Sequence, residues 1–372
     1  MLITRHYDRQ QYSVVFNTTT GFFARIEDVG HPEPQWCQNG PELMDIAVTN
    51  WCDRGCEWCY RRSDTHGSHM SVEDYRMLIR QGANMGVLQV ALGGGNPNQH
   101  PQFSSILEIT RKEFGVVPSY TTNGRGLDRN VLDASRRFCG AVAVSAYAPY
   151  EEAAAAVRRL IANGIKTNVQ FILSSDSVET AIDWLHDPPT WMKGINALIF
   201  LNFKPVTRDG NDAPLANKHL RAKELFGVAT ADDRRPFKIG FDDCCHTGLL
   251  AHGDPHPASI EACDSARFSM FVSERLRAYP CSFMAELCEG HLVTSHNLQD
   301  IWHHSELFVR MRDSLVTGRC SNCHSSGSCL SGCPLFPEMN FCGTVETPSP
   351  VRTAMQDEDL SVPLTVHGRP IV

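Results

Sequence analysis

Cysteine is the residue type best placed to do chemistry in this chain, and its spacing is uneven. Three of the fifteen cysteines, Cys52, Cys56 and Cys59, follow a C-x3-C-x2-C pattern. The run 45–49 just before them reads as a short buried strand, so the cysteines fall on the loop at its C-terminal end. Such a loop can aim three thiolates at one point. Structural zinc takes four closed ligands, and an ordinary cubane cluster takes four cysteines. Three thiolates with no obvious fourth suit a cubane iron–sulfur cluster with one iron left open. Zinc or a chance grouping is the plainer alternative, although the C-x2-C of zinc ribbons and redox dithiols is spaced differently.

Strands and helices alternate behind this loop. Ser71-Val-Glu-Asp74 reads as a capping box with Asp in the Glu place, opening a helix to about Met85. Strands are expected over 87–92, 116–120, 141–144, 167–173 and 196–203. Helices are expected over 102–113, 128–138, 150–162 and 178–186. With 45–49 the strands number six, and they are mostly continuous apolar runs, as in a parallel sheet covered on its outer face. The fold class is α/β, a partial (β/α)6 TIM-like barrel over residues 45–235, with functional groups at the strand C-termini. Residues 1–44 read as a β-hairpin (12–16 and 22–26 around a loop closed by Gly21) and a linker. Residues 236–342 form a small C-terminal domain, and 343–372 an extended or disordered tail.

The strand ends carry polar or glycine-rich groups. Gly93-Gly94-Gly95-Asn96-Pro97 follows the second strand, where glycines let a ligand approach the backbone, or simply make a turn. Thr121-Thr122-Asn123-Gly124 follows the third; a helix-capping turn is the alternative. Ser145 ends the fourth strand, Gln170 lies on the fifth, and Phe203-Lys204-Pro205 follows the sixth. Each of these, alone, reads as scaffold.

The net charge of -8 argues against non-specific nucleic-acid binding. The N-terminus lacks the apolar core of a signal peptide, and no apolar run reaches the length of a membrane span. Fifteen cysteines in a cytoplasmic protein stay reduced and available to metal.

C-x3-C-x-aromatic-C, with Trp58 in the aromatic place, resembles the signature of the radical S-adenosylmethionine (SAM) superfamily. The resemblance implies a [4Fe–4S] cluster held by Cys52, Cys56 and Cys59, its open iron chelated by the amino and carboxylate groups of SAM. It implies reductive cleavage of SAM to a 5′-deoxyadenosyl radical that removes hydrogen from a substrate. Gly94, Gly95, Asn96 and Pro97 resemble the G-G-E-P motif that holds the SAM amino group; Asn96 replaces Glu and accepts without a full charge. Thr122 and Asn123 resemble the T-N-G turn. Ser145 resembles a serine at the SAM carboxylate or ribose, with Tyr147 where an acid is often found. Gln170 and Phe203 take further SAM-side positions.

Cys263, Cys281, then Cys320-x2-Cys323-x5-Cys329-x3-Cys333 and Cys342 resemble the SPASM domain, which holds two auxiliary [4Fe–4S] clusters. The four-cysteine run alone also fits a zinc knuckle. By the resemblance, Cys320, Cys323, Cys329 and Cys342 hold the outer cluster, and Cys263, Cys281 and Cys333 the inner one. Cys244 is the choice for its fourth ligand; Cys245, Cys288 or an open iron compete. Leu276 stands where the pattern has Gly. Cys37 and Cys139 read as ordinary thiols. Asp242 is the candidate base, with Asp243 beside it.

SPASM-bearing enzymes mostly modify peptides, so the expected activity is a crosslink or similar oxidative modification of a ribosomally made peptide. The expected partners are that peptide and an electron donor such as ferredoxin or flavodoxin; because only about 44 residues precede the barrel, a leader is expected to bind elsewhere or on a separate leader-binding protein. The alternatives are an oxidase or isomerase acting on a sugar or nucleotide, and a non-catalytic metal-binding module.

Overall fold

The structure is a computed structural model and describes residues 1–206, 214–231, 234–256, 260–317, 320, 323 and 329–342. The tail after 342 lies outside the described residues.

The N-terminal strands β1 (Leu2–Tyr7), β2 (Tyr12–Asn17) and β3 (Phe23–Glu27) form an antiparallel sheet. The hairpin over 12–26 is present, and β1 adds a strand that the sequence did not signal. The apolar period of β1 is broken by Arg5, which turns inward to donate to the Gly86 carbonyl. Tyr7, Tyr12, Val14 and Phe16 pack on Leu88 and Val117, at the N-terminal ends of two barrel strands. The small sheet therefore plugs the end of the barrel opposite the cysteine loop.

The barrel strands are β4 (Leu43–Thr49), β5 (Gln89–Gly94), β6 (Val117–Thr122), β7 (Val142–Ala146), β8 (Thr167–Leu173) and β9 (Ala197–Asn202), all parallel and in chain order. Helices α1 (Val72–Met85), α2 (Phe103–Glu108), α3 (Arg129–Phe138), α4 (Glu151–Ala162) and α5 (Val178–His186) connect them. Ser71 caps α1 by accepting from the Asp74 amide at 3.0 Å, and Gly86 ends it at φ 98°. Asp128 caps α3 by accepting from the Val131 amide at 2.9 Å. Each cap satisfies an end group that the helix leaves unpaired.

Alternation along the strands sorts side chains between two faces. In β8, Val169, Phe171 and Leu173 are buried towards the helices, where the Phe171 and Trp184 rings lie 4.6 Å apart. Asn168, Gln170 and Ile172 take the other face and are only half-buried. The inner face is thus partly polar where the expected runs were mostly apolar, because it lines an open cavity.

The sheet continues past both edges of the barrel. After α6 (Ala222–Ala231), β10 (Lys238–Phe241) pairs parallel with β9. After α7 (His246–His252), β11 (Ser269–Val272) pairs parallel with β4 and leads into β12 (Arg277–Tyr279) and β13 (His291–Leu292). Helices α8 (Leu298–His304) and α9 (Glu306–Thr317) follow. The β11–β12 hairpin is an extension of the barrel sheet, so the cysteines that flank it, Cys263 and Cys281, are anchored to the same framework. Among the described residues no helix is long and apolar enough to cross a membrane.

Candidate active site

The cysteine loop leaves β4 at Thr49 and folds back on itself. The Cys52 amide donates to the Asp64 carbonyl and the Cys59 amide to the Cys56 carbonyl, at 2.9 and 3.2 Å. Gly55 supplies the left-handed turn at φ 60° that the short C-x3-C interval needs. Arg54 and Arg125 brace the loop. Both pair with Glu152 at the start of α4, and Arg125 also donates to the Asp53 carbonyl at 3.2 Å.

The three cysteines and Trp58 line one cavity of about 410 Å³, within the range of ordinary ligand pockets. Every barrel strand contributes to it: Asp45, Ala91, Gly93, Thr121, Ser145, Gln170, Ile172 and Leu201 all line it. Gly94, Gly95, Thr122, Asn123, Phe203 and Asp242 do as well.

The glycines divide by role. A Cβ on Gly94 would lie 2.0 Å from the Thr49 carbonyl, and one on Gly95 2.1 Å from the Trp51 carbonyl. These two glycines let the end of β5 press on the cysteine loop. A Cβ on Gly93 would meet nothing within 4 Å, so that glycine leaves open space at the cavity wall.

Asn96 and Pro97 are placed otherwise than expected. Neither lines the cavity, and both are buried. The Asn96 side-chain oxygen accepts from the Thr122 hydroxyl at 3.0 Å and the Asn123 amide at 3.1 Å. Its amide nitrogen donates to the Arg125 carbonyl at 3.1 Å. The side chain is used up in joining two loops, and it is not free to accept from the SAM ammonium. Asn123, so positioned, donates towards Cys52 Sγ at 3.6 Å.

Sequence reasoning named Tyr147 and Lys204 beside the motif positions but did not single out Asp45, and all three line the cavity. Tyr147 carries the Arg54 guanidinium over its ring at 4.8 Å and lies 6.0 Å from Trp58. Burial pushes its phenol up to about 12. Lys204 pairs with Asp242, whose oxygens also accept from the Asn202 amide at 3.2 Å. Burial alone would lower the Lys204 ammonium, but the charges of Asp242 and Cys244 outweigh it and hold it above the usual lysine range. Asp45 interrupts the apolar run of β4, and a lone charge there was the signal that could have found it.

Cys244 stands on the turn after β10. Cys333 shares a hydrogen bond with it and also feels the charges of Cys263 and Cys281. That bond and Lys204 hold the Cys244 thiol low against its burial. Burial pushes Cys281 up to about 12. These four sulfurs are one electrostatic group. Cys245 is fully buried in the apolar core. Cys288 contacts the Met284 carbonyl at 3.7 Å, and burial raises it to about 12. Asp243 does not line the cavity; it accepts from the Asp264 amide at 3.1 Å.

Farther out, Cys329 feels Cys323 and Cys342, and His246 Nε2 lies 3.3 Å from its sulfur. Cys320 meets Cys323 through a backbone contact of 3.4 Å. Residues 321–322 and 324–328 between them lie outside the described residues. Among the described residues no three His, Cys, Asp or Glu side chains converge as the ligands of one small ion would.

The residues around Cys52, Cys56 and Cys59 fit a cluster with an open iron. Three thiols share a cavity, a donor faces one sulfur, and the wall at Gly93 is clear. Fold and site define an enzyme working at the C-terminal mouth of an α/β barrel. Residues 46–185 match the Radical SAM superfamily. The chain is similar to the mycofactocin maturase MftC of Mycobacterium tuberculosis, at 21% identity over 79% of this chain and 78% of that one. Its fold is that of Streptococcus suis SuiB bound to S-adenosylmethionine, with a TM-score of 0.69 at 15% identity over 89% of this chain and 94% of that one. It also matches native anSMEcpe with bound AdoMet and the Cp18Cys peptide, with a TM-score of 0.60 at 15% identity over 84% of this chain and 94% of that one.

Proposed function

We propose that this enzyme modifies a ribosomally made peptide, installing a crosslink or similar oxidative change. When bound, SAM and the [4Fe–4S] cluster at Cys52, Cys56 and Cys59 supply a 5′-deoxyadenosyl radical that takes hydrogen from the substrate. The observation that carries this reading is the single cavity holding the cysteine trio at one wall and the Asp242–Lys204 pair at another. Similarity to a maturase, and to an enzyme holding AdoMet and a peptide, supports the peptide as substrate.

In this reading the chain's residues divide the work. Gly93 leaves room for SAM, while Thr122, Asn123, Ser145, Gln170 and Phe203 wall its site. Asn96 joins the glycine loop to the Asn123 turn. Cys244, Cys263, Cys281 and Cys333 hold an inner auxiliary cluster, and Cys320, Cys323, Cys329 and Cys342 an outer one. The potentials of such clusters follow burial and hydrogen bonding. Lys204 bridges the cavity and the inner group, since it pairs with Asp242 and its charge acts on Cys244. Asp242, facing the cavity, is the proton acceptor. A ferredoxin or flavodoxin supplies electrons, a separate protein presents the leader, and a cytoplasmic location would keep the thiols reduced for the clusters.

The test is anaerobic incubation of reconstituted protein with dithionite, SAM and candidate peptides. Formation of 5′-deoxyadenosine together with loss of a hydrogen pair from the peptide supports the reading. Unchanged peptide mass with solvent deuterium uptake points to epimerisation instead. Absence of 5′-deoxyadenosine from iron-replete protein refutes it.

A further inference from the structure

One charged group in the cavity is left without a counter-charge. Asp45 lies mid-way along β4, between Ala91 of β5 and Phe271 of β11. Its neighbour Met44 points outward, with its sulfur near Gly82 of α1, so Asp45 points inward. Thr49 is four positions further on, which puts Asp45 about 13 Å beneath the end of the strand. It therefore lies deeper in the barrel than the cysteine loop, yet it lines the same cavity.

Among the described residues nothing hydrogen-bonds or salt-bridges its carboxylate, and burial alone pushes it up to about 7. The two basic side chains of the cavity are already paired, Lys204 with Asp242 and Arg54 with Glu152. The neighbouring strands offer Asp45 only Ala91 and Phe271. The other titratable groups of the cavity are Tyr60, Tyr147 and the three thiols. Tyr60 is close enough to feel the Asp45 charge, and its ring lies 4.4 Å from that of Phe283. Aromatic faces beside a carboxylate favour a cation, because the ring quadrupole and the charge both attract it. A lone ionised carboxylate in such surroundings is costly, and a cationic ligand relieves that cost.

We propose that Asp45 anchors a cationic group of the substrate, the ammonium or guanidinium of a lysine or arginine side chain. The anchor selects which peptide residue reaches the reacting end of the cavity. This rests on the peptide-modifying reading above, but its test does not need turnover.

The full-length reconstituted chain is titrated with n-butylammonium, n-butylguanidinium and neutral 1-butanol, followed by ligand-observed NMR. Near pH 8 one of the cations is expected to bind about tenfold more tightly than the alcohol, and Asp45→Asn to erase that preference. Near pH 5 the preference disappears in the unaltered chain too, since the carboxyl then holds its proton. Equal binding of the alcohol, or a preference that survives Asp45→Asn, overturns the proposal. So does displacement of the cation by SAM, which assigns the carboxylate to the cosubstrate. Should Asp45→Asn not fold, the pH comparison on the unaltered chain decides. Formation of 5′-deoxyadenosine in the same preparations is scored separately. Cleavage without cation preference sinks the anchor alone; preference without cleavage sinks the radical reading alone.

Discussion

Asp45→Asn should make the ligand-free protein more stable, and by an amount that grows with pH. Burial raises this carboxyl from 3.8 to about 7, and among the described residues no partner offsets it. Below about pH 4 the folded and unfolded forms both hold the proton, and the substitution is neutral. As pH rises from about 4 to about 7, the unfolded carboxyl ionises first, and the wild-type chain loses stability that the Asn variant keeps. Above the folded value the gap is full. At 1.36 kcal/mol per unit, the shift amounts to roughly 4 kcal/mol. That is an upper figure, because the side chain is only half-buried and the cavity admits water. An unfolding entropy of about 2.1 cal/mol/K per residue converts it to a Tm difference of roughly 5 °C for a chain of this length. Differential scanning of both proteins near pH 5.5 and pH 8, at one scan rate, reads the gap. A gap of the same size at both pH values, or a variant less stable than wild type at the higher one, would refute the unpaired carboxylate.

Five other substitutions have defined outcomes. Arg25 pairs with Glu42, Glu261 and Asp264 at 2.8 to 3.2 Å and lies over the Phe268 ring, joining the N-terminal sheet to the segment before β11. Arg25→Met leaves Glu42 buried and uncompensated, at a cost of about 3–5 kcal/mol, measured by denaturant unfolding. Gly94 has φ 106° and no room for a Cβ, so Gly94→Ala forces β5 away from the cysteine loop and abolishes 5′-deoxyadenosine formation. Gly93→Ala fills open space instead; it should leave the melting curve unchanged and weaken SAM binding in equilibrium dialysis. Cys244→Ala should alter the auxiliary-cluster EPR signal, whereas Cys245→Ala, in the apolar core, should leave the signal and cost stability instead. Identical spectra from the two would remove Cys244 from the inner group.

The chain's order alone determined much of the molecule. The C-x3-C-x2-C spacing, the caps at Ser71 and Asp128 and the six alternating strands are local features, each set by residues a few positions apart. Strand and helix placement therefore followed from pattern, and so did the loop that carries the first three cysteines. Only the tertiary structure decided what faces what. Cys244 and Cys245 are neighbours in sequence, yet one joins three distant sulfurs and the other enters the core. Their separation depends on where β10 docks, at the edge of β9. Asn96 occupies a motif position but turns to Thr122 and Asn123, because a buried amide must satisfy its hydrogen bonds with whatever lies nearby. Likewise β1 became a strand through pairing with β2, despite a broken period. Asp45 is one charge in an apolar run until the sheet curls; then the two-residue period of β4 places it inside, with no counter-ion, because closure brings strands together that sequence keeps far apart.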